Sequence, residues 1–210
     1  MNMKRILVFL VILVIATFLT ACISNKTKAG TDVVTGNAAS MDGTSGTPAG
    51  KVLVVYYSAT ERTKIAAEAI AAATQGELFE LVPQQPYTAA DLNYNNKDSR
   101  VSREHDDPAG RHVELVKDTV DNFADYGTVF IGYPIWWGDA SWVIDDFVKH
   151  NNFSGKTVIP FATAYSSPLG DSGNHLAAMA GTGNWRDGIC FDRAMTTEKV
   201  ADWAESLGIN

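Results

Sequence analysis

The chain has 210 residues, with 24 acidic against 17 basic side chains and a formal net charge of −7. An acidic balance of this size argues against nucleic acid and against electrostatic attraction to anionic lipid. Two cysteines and four histidines, with no cluster at metal-ligand spacing, leave no signature of a structural metal site.

The first 21 residues read as a targeting segment outside the fold. Lys4 and Arg5 precede an apolar core over residues 6–19, too short for a typical membrane span. Leu19-Thr20-Ala21-Cys22 follows, and the whole resembles a bacterial lipoprotein signal peptide with its lipobox. That resemblance implies lipidation of Cys22 and an extracytoplasmic domain anchored to the bacterial membrane. An uncleaved anchor helix would place the domain on the same side. Removing Lys4 and Arg5 takes the net charge from −7 to −9, so anchoring rests on the lipid. With Cys22 acylated, Cys190 has no disulfide partner, and its apolar run Gly188-Ile189-Cys190-Phe191 reads as a buried small hydrophobe.

Residues 22–50 are rich in Gly, Ser, Thr, Ala and Asn and show no apolar periodicity, so they read as a flexible tether. Asp42-Gly43-Thr44-Ser45-Gly46-Thr47 within it is similar to a covalent flavin-acceptor sequence but lacks the alanine before the last threonine. It is taken as chance in a Gly/Thr-rich linker.

The folded domain is expected over 51–210, enough for one core. Lys51-Val-Leu-Val-Val-Tyr-Tyr57 is a buried-strand pattern, with the strand placed at 52–57. The turn Ser58-Ala59-Thr60-Glu61-Arg62-Thr63 leads into an amphipathic helix over 63–73, with Ile65, Ala66, Ala69, Ile70 and Ala73 on one face. A strand, a hydroxyl-rich turn and a helix N-terminus make an anion site, because the first helical N–H groups and the helix dipole point at the turn. Simple capping by Thr60 needs one hydroxyl, and this turn offers three.

A strand follows at 77–82. Residues 83–110 are long, polar and without apolar pattern, which reads either as a surface excursion or as a flap bringing Tyr94 or Arg100 to a ligand. A helix over 111–123 leads to a strand over 128–133, ended by Gly132 and Pro134. Pro134-Ile135-Trp136-Trp137-Gly138 then places two tryptophans at the carboxyl edge of the sheet, where ligands bind in open α/β sheets. One indole is expected at the ligand and its neighbour in the core, with Trp136 the choice for the ligand. A helix over 141–150, a strand over 157–163 and the loop Thr163-Ala164-Tyr165-Ser166-Ser167 continue the rhythm. A helix over 173–180, a short strand near 188–191 and a helix over 197–207 complete it. The alternation predicts an α/β fold: a doubly wound, five-stranded parallel sheet in a three-layer α/β/α sandwich with right-handed crossovers. Three loops at neighbouring strand ends would converge on one crevice suited to a flat aromatic phosphate ester.

These segments resemble the flavodoxin superfamily, most closely its branch carrying Gly-Tyr-Pro-Ile-Trp-Trp. Ser58-x-Thr60-x-x-Thr63, the stretch from Gly132 to Gly138, and Thr163 to Ser167 carry the resemblance. Arg100, Glu104, Asp107-Pro108 and Arg111 match the branch's long loop, and Gly188, Phe191 and Trp203 match its end. The resemblance implies a flavodoxin-like fold, FMN as cofactor and redox activity. It places the phosphate on Ser58, Ala59, Thr60, Glu61, Arg62 and Thr63, and the ring between Pro134–Gly138 and Thr163, Ala164, Tyr165 and Ser166. Three departures stand out. Glu61 replaces a common glycine, Ser141 replaces a proline, and Ala164-Tyr165-Ser166 replaces Ser-Gly-Gly.

Two readings follow. The first is an FMN-dependent redox protein, working either as an electron carrier for a protein partner or as an oxidoreductase for a small quinone-like acceptor. The missing second dinucleotide domain favours the carrier. No obligatory acid, base or nucleophile is visible, so no catalytic residue is assigned. The second is a flavodoxin-fold lipoprotein that holds another ligand or a partner without redox turnover.

Overall fold

The computed structural model describes residues 50–209. The signal peptide, Cys22 and all of the tether but Gly50 lie outside the described residues.

Among the described residues, five α-helices surround one sheet. The strands are β1 (Lys51–Tyr56), β2 (Glu77–Glu80), β3 (Tyr126–Trp136), β4 (Asp139–Ala140), β5 (Thr157–Thr163), β6 (Asn184–Trp185) and β7 (Ile189–Phe191). The helices are α1 (Arg62–Thr74), α2 (Arg100–Asp106), α3 (Asp145–His150), α4 (Ser172–Ala180) and α5 (Thr197–Ser206). The order across the sheet is β2-β1-β3-β5, with both β6 and β7 on the far side of β5. All these pairings are parallel. Counting β6 and β7 as one interrupted edge strand gives the doubly wound order 2-1-3-4-5. The break falls where Gly188 crosses the carbonyl of Pro160; a Cβ there would lie 2.1 Å from the Pro160 oxygen.

The central strands are buried on both faces, which is why they read as unbroken apolar runs. Leu53, Val55, Val129, Ile131 and Tyr133 face one core with Phe147 and Val148 of α3 and Leu176 of α4. Val52, Val54, Tyr56, Phe130, Ile159 and Phe161 face the other, with Ala66, Ala67 and Ile70 of α1 and Val200 and Ala204 of α5. The period of two along each strand sorts residues between the layers. On α1 the buried stripe is Thr63, Ala66, Ala67, Ile70, Ala71 and Thr74, so Ile65, expected inside, is exposed.

Three expectations are corrected. Residues 111–122 form no helix. His112-Val113-Glu114-Leu115-Val116 alternates exposed and buried, an extended pattern, and Val113 and Leu115 reach the core. The segment hydrogen-bonds back to residues 82–84 through Gln84 N–H to Glu114 O and Val116 N–H to Val82 O. Residues 83–110 are not featureless, because α2 forms there. Its N-cap Ser99 accepts from the Ser102 N–H, and Arg100 pairs with Glu104 one turn on. Finally, Gly132 and Pro134 do not end β3. Gly132 is a point of close approach, where a Cβ would meet the Phe161 ring at 2.1 Å. Pro134 sits beyond the end of β1, whose last bond is Tyr57 N–H to Gly132 O, and its own carbonyl accepts from Ser141 N–H. A proline there removes no ladder donor that β1 needs.

Candidate functional site

Strand β3 runs on to a hairpin that builds one wall of a cleft. Ile135 pairs with Ala140 and Trp136 with Asp139, leaving Trp137 and Gly138 as a two-residue turn. Both have positive φ, 48° and 79°. Two left-handed residues in a two-residue hairpin are the type I′ pattern, which favours Asn-Gly. A bulky aromatic at the first position is strained. The backbone thus holds both tryptophans at the carboxyl edge of the sheet.

The cleft has a volume of about 540 Å³, inside the range of about 300–1,000 Å³ usual for small-molecule sites. The β1–α1 turn contributes Ala59 and Thr60, and the hairpin contributes Pro134 to Gly138. The β5–α4 loop adds Ala164 to Ser167, and the long loop adds Leu92, Tyr94 and Val101. All three expected loops therefore meet, with the long loop as a fourth side. Of the two candidates there, Tyr94 lines the cleft. Arg100 does not: its Nε donates to Glu104 Oε1 at 2.7 Å and its Nη1 to the Gln85 carbonyl at 2.7 Å.

At the α1 end of the cleft, Glu61 is the N-cap of the helix at φ 65°, left-handed, with no side-chain capping bond. This conformation explains why glycine suits the position. A left-handed residue followed by helical Arg62 turns successive backbone N–H groups toward one point, an anion nest at a helix N-terminus. The Arg62 and Thr63 N–H groups have no acceptor within the helix. The hydroxyls divide their work. Thr60 is exposed on the cleft. Ser58 Oγ accepts from Lys64 N–H at 3.2 Å, doing the capping. Thr63 is buried, with its hydroxyl 2.8 Å from that of Thr163. Arg62 reaches away, donating to the Asp192 carbonyl at 2.6 Å. The Glu61 carboxylate is solvent-exposed and 3.6 Å from Lys64 Nζ.

The two tryptophans differ. Trp136 packs inward, with ring centroids 4.8 Å from Trp142, 5.3 Å from Tyr87 and 5.8 Å from Tyr57. Trp137 is 45% exposed and stacks on His105 at 4.4 Å and 16°. Both line the cleft, and Trp136, the choice for the ligand, is the half-buried one, packed against the core as well. Burial pushes the Tyr57 and Tyr87 hydroxyls far above the usual phenol range, and for Tyr87 the bond to Glu104 adds to it. Both stay neutral and pack against Trp136.

Opposite the hairpin, Tyr165 is 72% exposed. Arg193 Nη1 donates to its hydroxyl at 3.1 Å, and the guanidinium lies 5.3 Å from its ring centroid. The backbone below is fixed by Ala164 N–H to Phe191 O. Cys190, half-buried, donates to the Ser167 carbonyl at 3.3 Å, and burial, then Asp192, pushes its thiol up to about 11. The sequence had not pointed to residues 191–193 as part of the site's frame. They join the β1–α1 turn, through Arg62, to the β5–α4 loop, through Arg193.

Comparison with known proteins follows from this geometry. A family profile described as Flavodoxin matches residues 51–207. A Bacteroides eggerthii protein classed as a flavoprotein is 40% identical, over 77% of this chain and 99% of its own, at a TM-score of 0.68. One from Bacteroides uniformis is 39% identical, over 74% and 98%, also at 0.68. A Lactobacillus acidophilus flavoprotein solved in complex with FMN shares the fold at 22% identity and a TM-score of 0.52, over 68% and 93%. No curated protein matches the chain. The chain belongs to the flavodoxin family.

Proposed function

We propose that this flavodoxin-family chain binds FMN in the cleft and serves as a redox protein held outside the cytoplasm by a lipid on Cys22. The observation that carries the reading is the convergence of an anion nest at the α1 N-terminus with two facing aromatic loops in one cleft. The phosphate fits the N–H groups of residues 61–63 and the Thr60 hydroxyl. The flat ring fits between the 134–138 hairpin and the 164–167 loop. Family membership and the FMN complex of a protein with the same fold favour FMN over another phosphorylated aromatic.

FMN supplies one- and two-electron chemistry when bound, and the protein's work is binding, orientation and exclusion of water. Trp136, Trp137 and Pro134 shield one side. Tyr165, steadied by Arg193, narrows the other. The exposed rim of Tyr94, Trp137 and Tyr165 is where a redox partner or a quinone-like acceptor would approach. Extracytoplasmic anchoring rests on Lys4, Arg5, the apolar core over 6–19 and Leu19-Thr20-Ala21-Cys22.

The test is a visible spectrum of the purified full chain and titration of the apoprotein with FMN and riboflavin. A flavin spectrum that follows the protein, with FMN bound more tightly than riboflavin, is the expected result. A colourless protein that takes up neither flavin overturns the reading and leaves the binding lipoprotein without redox turnover. Mass spectrometry of the N-terminal peptide checks the acylated Cys22.

A further inference from the structure

We infer that Glu104 is a positioning residue for the cofactor ring: one carboxylate that locks the long loop onto the aromatic wall of the cleft. The inference rests on the flavin reading above.

The long loop between β2 and β3 has α2 as its one α-helix, and seven residues are too few to hold themselves in place. Yet Leu92, Tyr94 and Val101 form a side of the cleft. The i, i+3, i+4 face of α2 shows what holds them. Val101 is buried in the core, Glu104 points at Trp142, and His105 stacks on Trp137.

Glu104 is the polar hub of that face. Its side chain is 14% exposed and accepts three donors from three places in the chain. Tyr87 Oη donates to Oε2 at 2.5 Å, Trp142 Nε1 donates to the same oxygen at 2.9 Å, and Arg100 Nε donates to Oε1 at 2.7 Å. Arg100 also lies 3.9 Å over the Tyr87 ring. The rings of Tyr87 and Trp142 in turn flank Trp136. The carboxylate therefore sets two rings that set the third, and the third lines the cleft.

The three donors fix the chemistry at this position. A carboxylate has acceptor sites for all three, whereas an amide has one acceptor oxygen and would aim its NH2 at a remaining donor. Charge-assisted bonds of this kind are the stronger ones, and a partly satisfied buried network is worse than an intact one. A ring wall held in one arrangement loses less freedom when the flavin arrives.

The experiment uses the full chain and the variants Glu104→Gln and Tyr87→Phe, the second keeping its ring and removing one donor. Affinities for FMN and for riboflavin are measured with the melting temperature and the visible circular dichroism of the bound flavin, which reports ring geometry. Glu104→Gln is expected to weaken both flavins by roughly tenfold, leave the FMN-to-riboflavin ratio unchanged and alter the dichroism. Tyr87→Phe should shift both affinities the same way by a smaller factor, and it decides the matter if Glu104→Gln fails to fold. A lower melting temperature with unchanged affinities and dichroism would mean a structural role only and overturn the inference. A loss confined to FMN would also overturn it, since it would place Glu104's influence at the phosphate. A wild-type chain that binds neither flavin overturns both this inference and the proposed function, whereas unchanged variants of a flavin-binding wild type overturn this one alone.

Discussion

Replacing Glu61 with glycine separates backbone strain from charge at the phosphate turn. Glu61 sits at φ 65° and ψ −16° with no capping bond from its side chain. A left-handed conformation costs an L-residue roughly 1–2 kcal/mol, which glycine does not incur. Glycine returns about 0.4–1 kcal/mol of that through the extra freedom of the unfolded chain. The exposed Lys64 contact at 3.6 Å contributes about 0–1 kcal/mol. Stability should therefore change by between a loss of about 1 kcal/mol and a gain of about 1.5 kcal/mol. Binding should change more. A carboxylate roughly 6 Å from a phosphate dianion in a water-like dielectric is repelled by about 1.4 kcal/mol, close to tenfold in affinity. Screening at ordinary ionic strength reduces the gain to roughly threefold to tenfold. Isothermal titration of Glu61→Gly with FMN and riboflavin, at low and high salt, is the assay. FMN should bind more tightly, riboflavin should not, and the gain should shrink with salt. An equal gain for both flavins, or none for FMN, would refute the nest at residues 61–63.

The two threonines of the turn should separate. Thr60→Val is expected to weaken FMN by about 1.5–3 kcal/mol and leave riboflavin and the melting temperature nearly unchanged. Thr63→Val strands the buried Thr163 hydroxyl and should instead cost about 1–3 kcal/mol in a denaturant titration. A reversed pattern would move the phosphate contact to Thr63. Ser141 Oγ is buried without a partner, so Ser141→Ala should be neutral or stabilising by about 1 kcal/mol in the same titration; a clear loss of stability would show a partner for that hydroxyl. Alkylation of Cys190 should accelerate through pH near 11, not near the ordinary thiol value of about 8.5. Because the folded thiol keeps a proton that the unfolded chain has released, stability should fall as pH rises from about 8.5 toward about 11. A rate profile centred near 8.5 would place the thiol in water.

The central strands were legible because burial on both faces leaves a continuous apolar run, as in Val52 to Tyr56 and Val158 to Phe161. The loops at their ends followed from the rule that ligands sit at carboxyl edges. What the sequence hid was decided by tertiary context. Pro134 reads as a terminator, yet β3 passes through it because β1 has already ended. Residues 111–123 looked like the missing crossover helix, although His112 to Val116 alternates like a strand. The cap Ser99 and the pair Arg100 and Glu104 were a local signal for α2. The left-handed backbone at Glu61 and Trp137 has no signature in either residue type. The frame formed by residues 191–193 depends on bonds spanning as many as 130 positions, from Arg62 to Asp192.

Backbone strain and the cleft coincide. Among the described residues, four that are not glycine have positive φ: Glu61, Gln75, Asn122 and Trp137. Gln75 ends α1, where a left-handed residue is a common stop, and Asn122, before a 3₁₀ turn, is a residue type that tolerates the region. The other two are a glutamate at a helix N-cap and a tryptophan at a hairpin tip, both unsuited to that region. They stand on two different loops, and both loops frame the cleft. Strain of about 1–3 kcal/mol at each persists only where the surroundings over-determine it. The surroundings here are visible: Ile65 N–H to Glu61 O fixes the first turn of α1, and the His105 stack with the Trp136–Asp139 pairing fixes the hairpin. Glycine or asparagine would remove the backbone strain at both positions. Their retention of side chains therefore points to what those side chains do. Trp137 supplies an aromatic face at the mouth of the cleft, and Glu61 places an exposed carboxylate at the α1 N-terminus, where the proposed phosphate site would feel it as the salt-dependent repulsion tested by Glu61→Gly.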